Sequence, residues 1–538
     1  MSMNLLRRII LFKKVFKDNP LKVLIFFFFI ALHLLLLNIN SAEWGDSYRI
    51  LRAAENVRRL TYEEKEKRPP LVSAVIAVRP SSVDAVVWGR VVLLGFSIIT
   101  FIIFDKLSSI YIKDKKYQLI SLLLFVLNPT YLYWSIRIMA DVPFSLFVLI
   151  AFYLLEKWKD NLNIGRLIVL GLVCGLSILT RFEGYLLTLS ILMGVLFLNK
   201  EYSPDLLKIK NFFSLFFLKF KNLLIIGLTT LVVILPWLLF RSPFESKYLD
   251  EPETRVYNLN TIWIYFVSLF YLLGFTQFFY FLFKNPANFL KLFKQNIGIA
   301  VFTILELVLI LLWPAAIPRL FISLIPFLII SFVLALEKYE SSNEKISYLD
   351  VFVIILLLVF YALSQYILKL QFLVTSRNLF LVVFGIQIVS TYLLLTKKKN
   401  VFLFVTVLSM FVWSLSVIYI HKDLYHALKD ASEYVARNLS GRVAYDSVNG
   451  VTDWYLNREG KNKELSGFYY PVLVKKDLDP KRLSDKHVDY MILTNEHNPD
   501  ASYDIDKRPY LTVIKDFRYN VNGKDFFALV IKFNKDYK

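Results

Sequence analysis

Ionisable residues beside long apolar segments are the first candidates for chemistry in this sequence. Asp46 lies in Trp-Gly-Asp-Ser-Tyr, just after the apolar run Leu21–Asn40, and Glu43 lies shortly before it. Charges at the edge of apolar runs are costly, so they are functional candidates by default. A carboxylate held partly out of water can act as a general base. Asp46 could equally cap a helix over Ser47–Arg59, and both interpretations stay open here.

Further candidates lie at two other corners between apolar runs. Asp141 follows Arg137 at the start of an apolar run, where it could also cap a helix with Pro143 in its first turn. The corner Thr-Arg-Phe-Glu-Gly contributes Arg181 and Glu183. A local ion pair is the alternative interpretation of these two residues, and such a pair contributes little if it is exposed.

Two more arginines could hold an anion. Arg319 follows a proline-containing corner, and Arg90 falls inside an apolar run. A buried guanidinium needs an anionic partner, either a carboxylate of the chain or a ligand phosphate. Glu306 is the one acid well inside an apolar run, and we interpret it as neutralising an arginine rather than as catalytic. Acids for proton transfer and arginines for phosphate would together suit group transfer from a phosphorylated lipid.

The composition places these candidates in a membrane protein. Of the 538 residues, 57% are hydrophobic, and uncharged runs long enough to span a bilayer recur along most of the chain. The net charge of +20 comes largely from lysines and arginines in short loops. This pattern fits the positive-inside rule and anionic lipid better than nucleic acid. With a single cysteine, Cys174, no disulfide can form within the chain.

The distribution of basic residues predicts the topology. We expect an all-α polytopic domain of about thirteen transmembrane helices over residues 1–421, with a cytoplasmic N-terminus and a first outer loop at 41–82. The predicted spans are Leu21–Asn40, Val83–Phe104, Tyr117–Trp134, Asp141–Leu155, Leu167–Thr180, Tyr185–Leu198, Leu223–Phe240, Thr261–Phe283, Ile297–Trp313, Leu320–Leu336, Leu349–Leu368, Leu379–Thr396 and Val401–Ile420. Every candidate except Glu306 then lies at or near the outer end of its span.

The last part of the chain has a different pattern. A helix-like segment, Asp423–Asn438, is followed by hydrophobic runs of strand length, and Asn522-Gly523 predicts a hairpin turn. The strand-like runs are Arg442–Tyr445, Tyr490–Leu493 and Phe526–Phe533. We therefore expect residues 422–538 to form a small extracytoplasmic α/β domain.

In this order, the outer-face segments resemble the polyprenyl-phosphate-sugar-dependent membrane glycosyltransferases of the GT-C type. These include the protein O-mannosyltransferases and the aminoarabinose transferases of lipid A. The segments that carry the resemblance are Trp44–Tyr48, Gly89–Val92, Asn128–Asp141, Leu179–Gly184 and Pro318–Phe327. The expected spans and external C-terminal domain are also similar to that family.

The resemblance implies roles for the candidates. Asp46 would act on the acceptor, Asp141 would be the acid of the second outer loop, and Arg319, with Arg181 and Arg90, would face the donor phosphate. The remaining candidates for substrate binding are Arg137, Glu183 and Tyr48.

The sequence departs from the family at one point. Several members carry adjacent Asp and Glu residues after the first span, whereas Ser47 follows Asp46 here. A role that needs two adjacent carboxylates, including metal binding, is therefore in question. No cofactor is predicted, and a divalent metal stays an open alternative.

We expect an integral-membrane, inverting glycosyltransferase of the cell membrane. It would move a sugar from a polyprenyl phosphate to a protein, lipid or glycan acceptor on the outer face, with no nucleic-acid partner. One alternative is a lipid or solute transporter or flippase, although no clear inverted repeat is visible. Another is an oligosaccharyltransferase, which would be expected to carry an Asp-x-Asp motif that Ser41–Ser82 lacks. The third is a non-catalytic assembly protein.

Overall fold

The computed structural model describes most of the chain, and all structural statements refer to that part. The described ranges are 19–61, 68–198, 209–240, 277–313, 318–341, 399–445, 450–457, 465–470, 478–496, 503–521 and 524–535, with residues 66 and 265 and scattered positions between 347 and 396. The chain divides into two compact units. The first unit is Met1–Leu34, Glu63–Val75 and Val91–Val417, and the second is Leu35–Tyr62, Ile76–Arg90 and Ile418–Lys538. The second unit therefore includes part of the predicted first outer loop.

Helices dominate the described structure. In chain order they are α1 (Pro20–Leu36), α2 (Gly45–Arg58), α3 (Leu71–Ala77), α4 (Ala85–Tyr111), α5 (Lys115–Val126), α6 (Pro129–Ser135), α7 (Asp141–Trp158), α8 (Ile164–Ile178), α9 (Gly184–Leu196), α10 (Ile209–Phe240), α11 (Gln277–Lys284), α12 (Pro286–Phe289), α13 (Lys291–Gln295), α14 (Ile297–Leu312), α15 (Ile325–Ser341), α16 (Lys399–Ile420), α17 (His426–Asn438), α18 (Val451–Asn457) and α19 (Pro480–Asp485). Short 3₁₀ helices cover Pro318–Phe321 and Ile505–Lys507.

Several helices have the composition of membrane spans. Among the described residues, three are long and apolar enough to cross a bilayer, and α1, α8, α9 and α14 are shorter apolar helices. The three are Ala85–Tyr111, Leu215–Phe240 and Val401–Ile420. Large apolar side chains such as Phe217 and Phe240 are exposed on α10, as expected of a helix in lipid. Most of the predicted spans Thr261–Phe283 and Leu349–Leu368 lies outside the described residues, as does part of Leu379–Thr396, so the count of thirteen stays a prediction.

Small residues allow α8 and α10 to approach closely. Gly171 and Gly175 lie one turn apart on α8, and a Cβ added at Gly171 would lie 2.8 Å from the carbonyl oxygen of Ile226. A Cβ at Gly175 would lie 2.6 Å from the side chain of Val233. The Thr230 hydroxyl donates to the Gly171 carbonyl at 3.1 Å. This spacing of glycines is the one that lets helices pack closely in membranes, and it fixes α8 just before the corner that carries Arg181.

The second unit contains a five-stranded mixed sheet in the order β2-β1-β3-β5-β4. The strands are β1 (Gly441–Tyr445), β2 (Leu465–Tyr469), β3 (Tyr490–Thr494), β4 (Leu511–Val521) and β5 (Lys524–Phe533). β1 pairs in parallel with β2 and β3, whereas β5 is antiparallel to β3 and β4. Ala444, Met491 and Ile531 contribute to its buried core. The predicted small α/β domain is therefore confirmed as a fold, while its extracytoplasmic placement stays a prediction.

The predicted segments of this domain match the structure closely. The helix-like segment forms α17, and the three strand-like runs form β1, β3 and β5, each with its ends shifted by a few residues at most. β4 and β5 pair as far as Val521 and Lys524, as a hairpin requires. The predicted turn residues Asn522 and Gly523 lie outside the described residues.

Candidate functional site

In the first unit, Arg181 lies between two carboxylates. Its guanidinium donates to Asp141, the first residue of α7, and to Glu183 in its own corner. The local ion pair considered from the sequence therefore forms, and Asp141 joins it from 40 residues earlier. Burial acts to raise the pKa of the Glu183 carboxyl, but the adjacent Arg181 holds this pKa below its ordinary value. Arg181 is thus balanced by carboxylates of the chain.

The corner between α8 and α9 is a tight turn that only glycine can close. The Gly184 N–H donates to the Arg181 carbonyl at 3.0 Å, and the Arg181 N–H donates to the Ser177 carbonyl at 3.0 Å. A Cβ added at Gly184 would lie 2.6 Å from the Ile178 Cα. The backbone of Arg181 and Glu183 is therefore held rigidly between two helices.

Two arginines of the first unit lie against neighbouring aromatic rings of α6. The Arg137 side chain is 1% exposed, and its guanidinium carbon lies 4.7 Å from the centre of the Tyr133 ring. The Arg319 guanidinium lies 5.5 Å from the centre of the Trp134 ring, and its Nη1 lies 3.1 Å from the Met139 sulfur. A desolvated cation–π contact is worth about 2 kcal/mol. These rings therefore fix both guanidiniums in place.

Glu306 belongs to the same charged group. It is 2% exposed in α14, and its Oε1 accepts a hydrogen bond from the Ser323 hydroxyl at 3.0 Å. It also interacts electrostatically with Asp141, Arg181 and Glu183. Since Ser323 follows the 3₁₀ helix that carries Arg319, the hydrogen bond links α14 to that segment. The interpretation of Glu306 as a simple neutraliser is therefore incomplete.

Arg90, in the second unit, is buried against a carboxylate of the chain. It contacts Glu43 Oε1 at 2.7 Å, and its Nη groups donate to Asn38 Oδ1 at 3.1 Å and to the Asn40 carbonyl at 2.9 Å. Arg90 is 6% exposed and Glu43 is 0% exposed. Glu43 thus supplies the anion that a buried guanidinium requires. We therefore do not assign Arg90 to the donor phosphate.

Asp46 lies in the first turn of α2. The helix begins at Gly45, and Trp44 occupies the N-cap position without a capping hydrogen bond from its side chain. The expectation that Asp46 caps a helix starting at Ser47 is therefore wrong, because the helix starts before Asp46. A half-buried carboxylate in the first turn is favoured by the positive end of the helix dipole.

Tyr48 is packed inside the second unit. It is 2% exposed, its hydroxyl accepts from the Glu43 N–H at 3.0 Å, and the same hydroxyl lies 3.2 Å from that of Tyr455. Its ring lies edge-on to Tyr455, with centroids 5.6 Å apart. These contacts are those of a buried structural residue, so we do not assign Tyr48 to sugar binding.

The donor set of the first-unit group does not favour a metal. Among the residues that the structure describes, no three or more histidine, cysteine or acidic side chains are grouped to hold a metal ion. Asp141 and Glu183 both contact the Arg181 guanidinium, which already supplies the positive charge there. We therefore derive no step through a metal.

Sequence reasoning missed several residues of these groups. Tyr133, Trp134 and Met139 lie in the segment that carries Arg137, and adjacent aromatic residues beside an arginine were a usable signal. Ser323 and Tyr455 gave no local signal, because their contacts depend on the tertiary fold.

The described fold is largely helical with a small C-terminal sheet, and several solved structures are similar to it. No protein-family model and no curated protein sequence matches the chain. The structure of ArnT from Cupriavidus metallidurans bound to undecaprenyl phosphate is similar, with a TM-score of 0.61 at 11% identity, over 95% of this chain and 98% of that one. The oligosaccharyltransferase of Archaeoglobus fulgidus, tethered with an acceptor peptide, gives 0.52 at 11% identity, over 89% and 69%. The expected resemblance to GT-C glycosyltransferases is thus confirmed at the level of the fold.

Proposed function

We propose that this protein is an integral-membrane, inverting glycosyltransferase that uses a sugar linked to a polyprenyl phosphate. The observation that carries the proposal is the first-unit group of Asp141, Arg181, Glu183, Glu306 and Arg319, within a fold of this class. ArnT of Cupriavidus metallidurans, which shares the fold, is solved with undecaprenyl phosphate bound. A lipid-linked phosphate therefore fits both the chemistry of the arginines and the fold.

The donor phosphate is assigned to Arg319. Arg181 donates to two carboxylates and Arg90 to one. The Arg319 guanidinium lies against an aromatic ring and a sulfur atom, and its charge also acts on Glu183 in the charged group of the first unit. As the bond between the anomeric carbon and the phosphate oxygen breaks, negative charge grows on the phosphate. A fixed guanidinium stabilises this charge, and such a donor is worth about 3 to 4 kcal/mol of barrier. Arg137 lies beside the adjacent ring and is assigned to the same anion.

The acceptor is assigned to Asp46. Its carboxylate takes the proton of an acceptor hydroxyl, whose oxygen attacks the anomeric carbon from the face opposite the leaving phosphate. The new glycosidic bond forms as the old bond breaks, and the polyprenyl phosphate leaves with the electron pair. Attack from the opposite face inverts the anomeric configuration. Asp141, held by Arg181, is assigned to orient the substrate.

An oligosaccharyltransferase is the second candidate, because the Archaeoglobus enzyme shares the fold. The two functions differ in the donor, which is a single sugar in one case and a whole glycan in the other. The similarity to ArnT is higher and covers nearly all of both chains. The single-sugar donor is favoured because Ser41–Ser82 lacks the Asp-x-Asp motif expected of an oligosaccharyltransferase. A transporter is less favoured, because the similar Archaeoglobus protein is named as an oligosaccharyltransferase.

The test is a transfer assay with purified full-length protein in lipid nanodiscs. Polyprenyl phosphates carrying different labelled single sugars, and a polyprenyl-linked oligosaccharide, are each supplied with peptide and lipid acceptors. We expect release of polyprenyl phosphate and labelling of an acceptor with one single-sugar donor, both greatly reduced in Arg319→Ala. Parallel reactions with a chelator or added divalent cations test metal dependence. Transfer of the oligosaccharide alone would instead establish the second candidate.

A further inference from the structure

Helix α2, which carries Asp46, lies against α18 of the C-terminal domain within the second unit. The Tyr48 hydroxyl lies 3.2 Å from that of Tyr455, and the Tyr48 ring also lies 6.0 Å from Trp454. The Arg52 guanidinium contacts the Asp453 carboxylate at 2.6 Å. Tyr48 and Arg52 lie one helical turn apart, so they share a face of α2. One face of α2 is therefore held by consecutive residues of α18.

The backbone brings the first turn of α2 close to the same segment. Gly450, just before α18, has a φ of +71°, and a Cβ added there would lie 3.2 Å from the Gly45 carbonyl oxygen. Such a left-handed conformation favours glycine. The contacts at Gly45 and Tyr48 thus lie on either side of Asp46 in the sequence.

The rest of the C-terminal domain anchors α18 in turn. The Tyr445 hydroxyl, at the end of β1, donates to Asp453 at 3.4 Å. The Lys429 ammonium of α17 lies 5.8 Å from the centre of the Tyr455 ring. Contacts therefore run from the sheet and α17, through Asp453 and Tyr455, to α2.

We propose that α18 is a positioning element for Asp46, with Tyr455 and Asp453 as its positioning residues. This inference rests on the proposed function, in which Asp46 acts on the acceptor. A short helix is marginal without tertiary contacts, and a misplacement of about 1 Å at a reacting group can cost about 100-fold in rate. Tyr455 and Asp453 thereby contribute to transfer by positioning Asp46, without contacting the substrate.

The buried tyrosine pair provides the main test. Tyr455→Phe removes one hydroxyl and keeps the ring, and Tyr455→Leu removes the ring as well. Hydrogen exchange measured on the whole protein in nanodiscs should show amide protection across Gly45–Arg58 reduced by about 2- to 10-fold in Tyr455→Phe. The loss should be larger in Tyr455→Leu. Glu433→Gln, which breaks an exposed pair with Arg437 on α17, is the matched control and should leave α2 unchanged.

Kinetics separate positioning from simple packing. Tyr455→Phe should lower kcat, leave KM for the donor unchanged, and lose its effect when Asp46 is already Asn, because it acts through Asp46. Wild-type protection and kcat in Tyr455→Phe, or an effect that multiplies fully with Asp46→Asn, would overturn the inference. If the wild-type protein transferred no sugar from any donor, the proposed function would fail instead. Amide hydrogen exchange of α2 in Tyr455→Phe would then test the contact between α2 and α18 without an activity assay. Unchanged protection would count against the inference.

Discussion

The buried arginines of the two units have different partners. In the second unit, Arg90 is surrounded by Glu43, Asn38 and the Asn40 carbonyl, so the pair is closed within the chain. In the first unit, the Arg181 guanidinium donates to the carboxylates of Asp141 and Glu183, and Glu306 interacts electrostatically with all three. Similar arginines in the sequence therefore have different roles, and only their partners distinguish them. A closed pair anchors a loop, whereas a shared group can respond to a substrate charge.

The largest effect is expected from Asp46→Asn. Asn keeps the size of the side chain and removes both its charge and its basicity. Transfer should fall by about 10²- to 10⁴-fold, the range typical of losing a general base. The melting temperature should stay nearly unchanged, because only a first-turn charge on α2 is lost.

Expression level and thermal unfolding of the Asn variant are measured beside its rate. An active Asn variant would remove Asp46 as the base and make Asp141 the next candidate. A variant that is inactive only because it unfolds would show a large loss of melting temperature.

Breaking the closed pair should affect stability. Glu43→Leu leaves the Arg90 guanidinium buried without its carboxylate, which should destabilise the protein by about 3 to 5 kcal/mol. Glu43→Leu combined with Arg90→Leu should recover most of this loss, because apolar residues can replace a buried pair. Denaturant unfolding in detergent measures both variants.

The same double variant decides the role of Arg90. If the pair is only an anchor, the folded double variant should keep transfer within about 10-fold of wild type, the cost of a small shift in Asp46. A well-folded double variant with donor kinetics as poor as those of Arg319→Ala would place Arg90 at the donor phosphate.

Arg319→Ala tests the assignment of the donor phosphate to the first unit. Loss of one fixed donor should lower kcat by about 10²- to 10³-fold. Arg319→Lys should recover only part of the rate, since an ammonium cannot form the bidentate fork of a guanidinium. Full rescue by Lys would show that a point charge is sufficient, and wild-type kinetics in Ala would remove Arg319 from the site.

Glu496 is a buried acid of the C-terminal domain, and it provides a further test of how burial affects a charge. Burial raises the pKa of its carboxyl well above the ordinary value of 4.5. The folded state then binds the proton more tightly than the unfolded state, so this contribution is greatest below pH 4.5 and is lost as the pH rises toward the folded pKa. Glu496→Gln should flatten the fall in melting temperature as the pH rises above 4.5, measured by thermal unfolding across a pH series. An unchanged pH dependence would contradict this account.

Local patterns in the sequence predicted the elements, and the contacts between distant elements could not be predicted. The apolar runs, α2 and the strands β1, β3 and β5 follow from periodicity within a few residues. β2, with the sequence Leu-Ser-Gly-Phe-Tyr, has no clear alternation and was missed.

In the candidate site, too, local pairs could be predicted from the sequence and long-range pairs could not. The Arg181–Glu183 pair is local and was anticipated. The pairing of Glu43 with Arg90 spans 47 residues, and that of Tyr48 with Tyr455 spans 407. Such contacts depend on how helices pack, which spacing along one chain does not specify. The family resemblance supplied the acids and arginines but not their partners.

Binding of a polyprenyl phosphate without its sugar tests the central claim most directly. Native mass spectrometry of the full-length protein, released from detergent, measures how much lipid phosphate stays bound to wild type and to Arg319→Ala. We expect wild type to retain one polyprenyl phosphate, and Arg319→Ala to bind it at least about 10-fold more weakly, since a charge-assisted contact is worth about 1.5 to 3 kcal/mol. Polyprenol without phosphate should bind neither protein tightly. Equal retention of the phosphate and the alcohol by wild type would contradict the account.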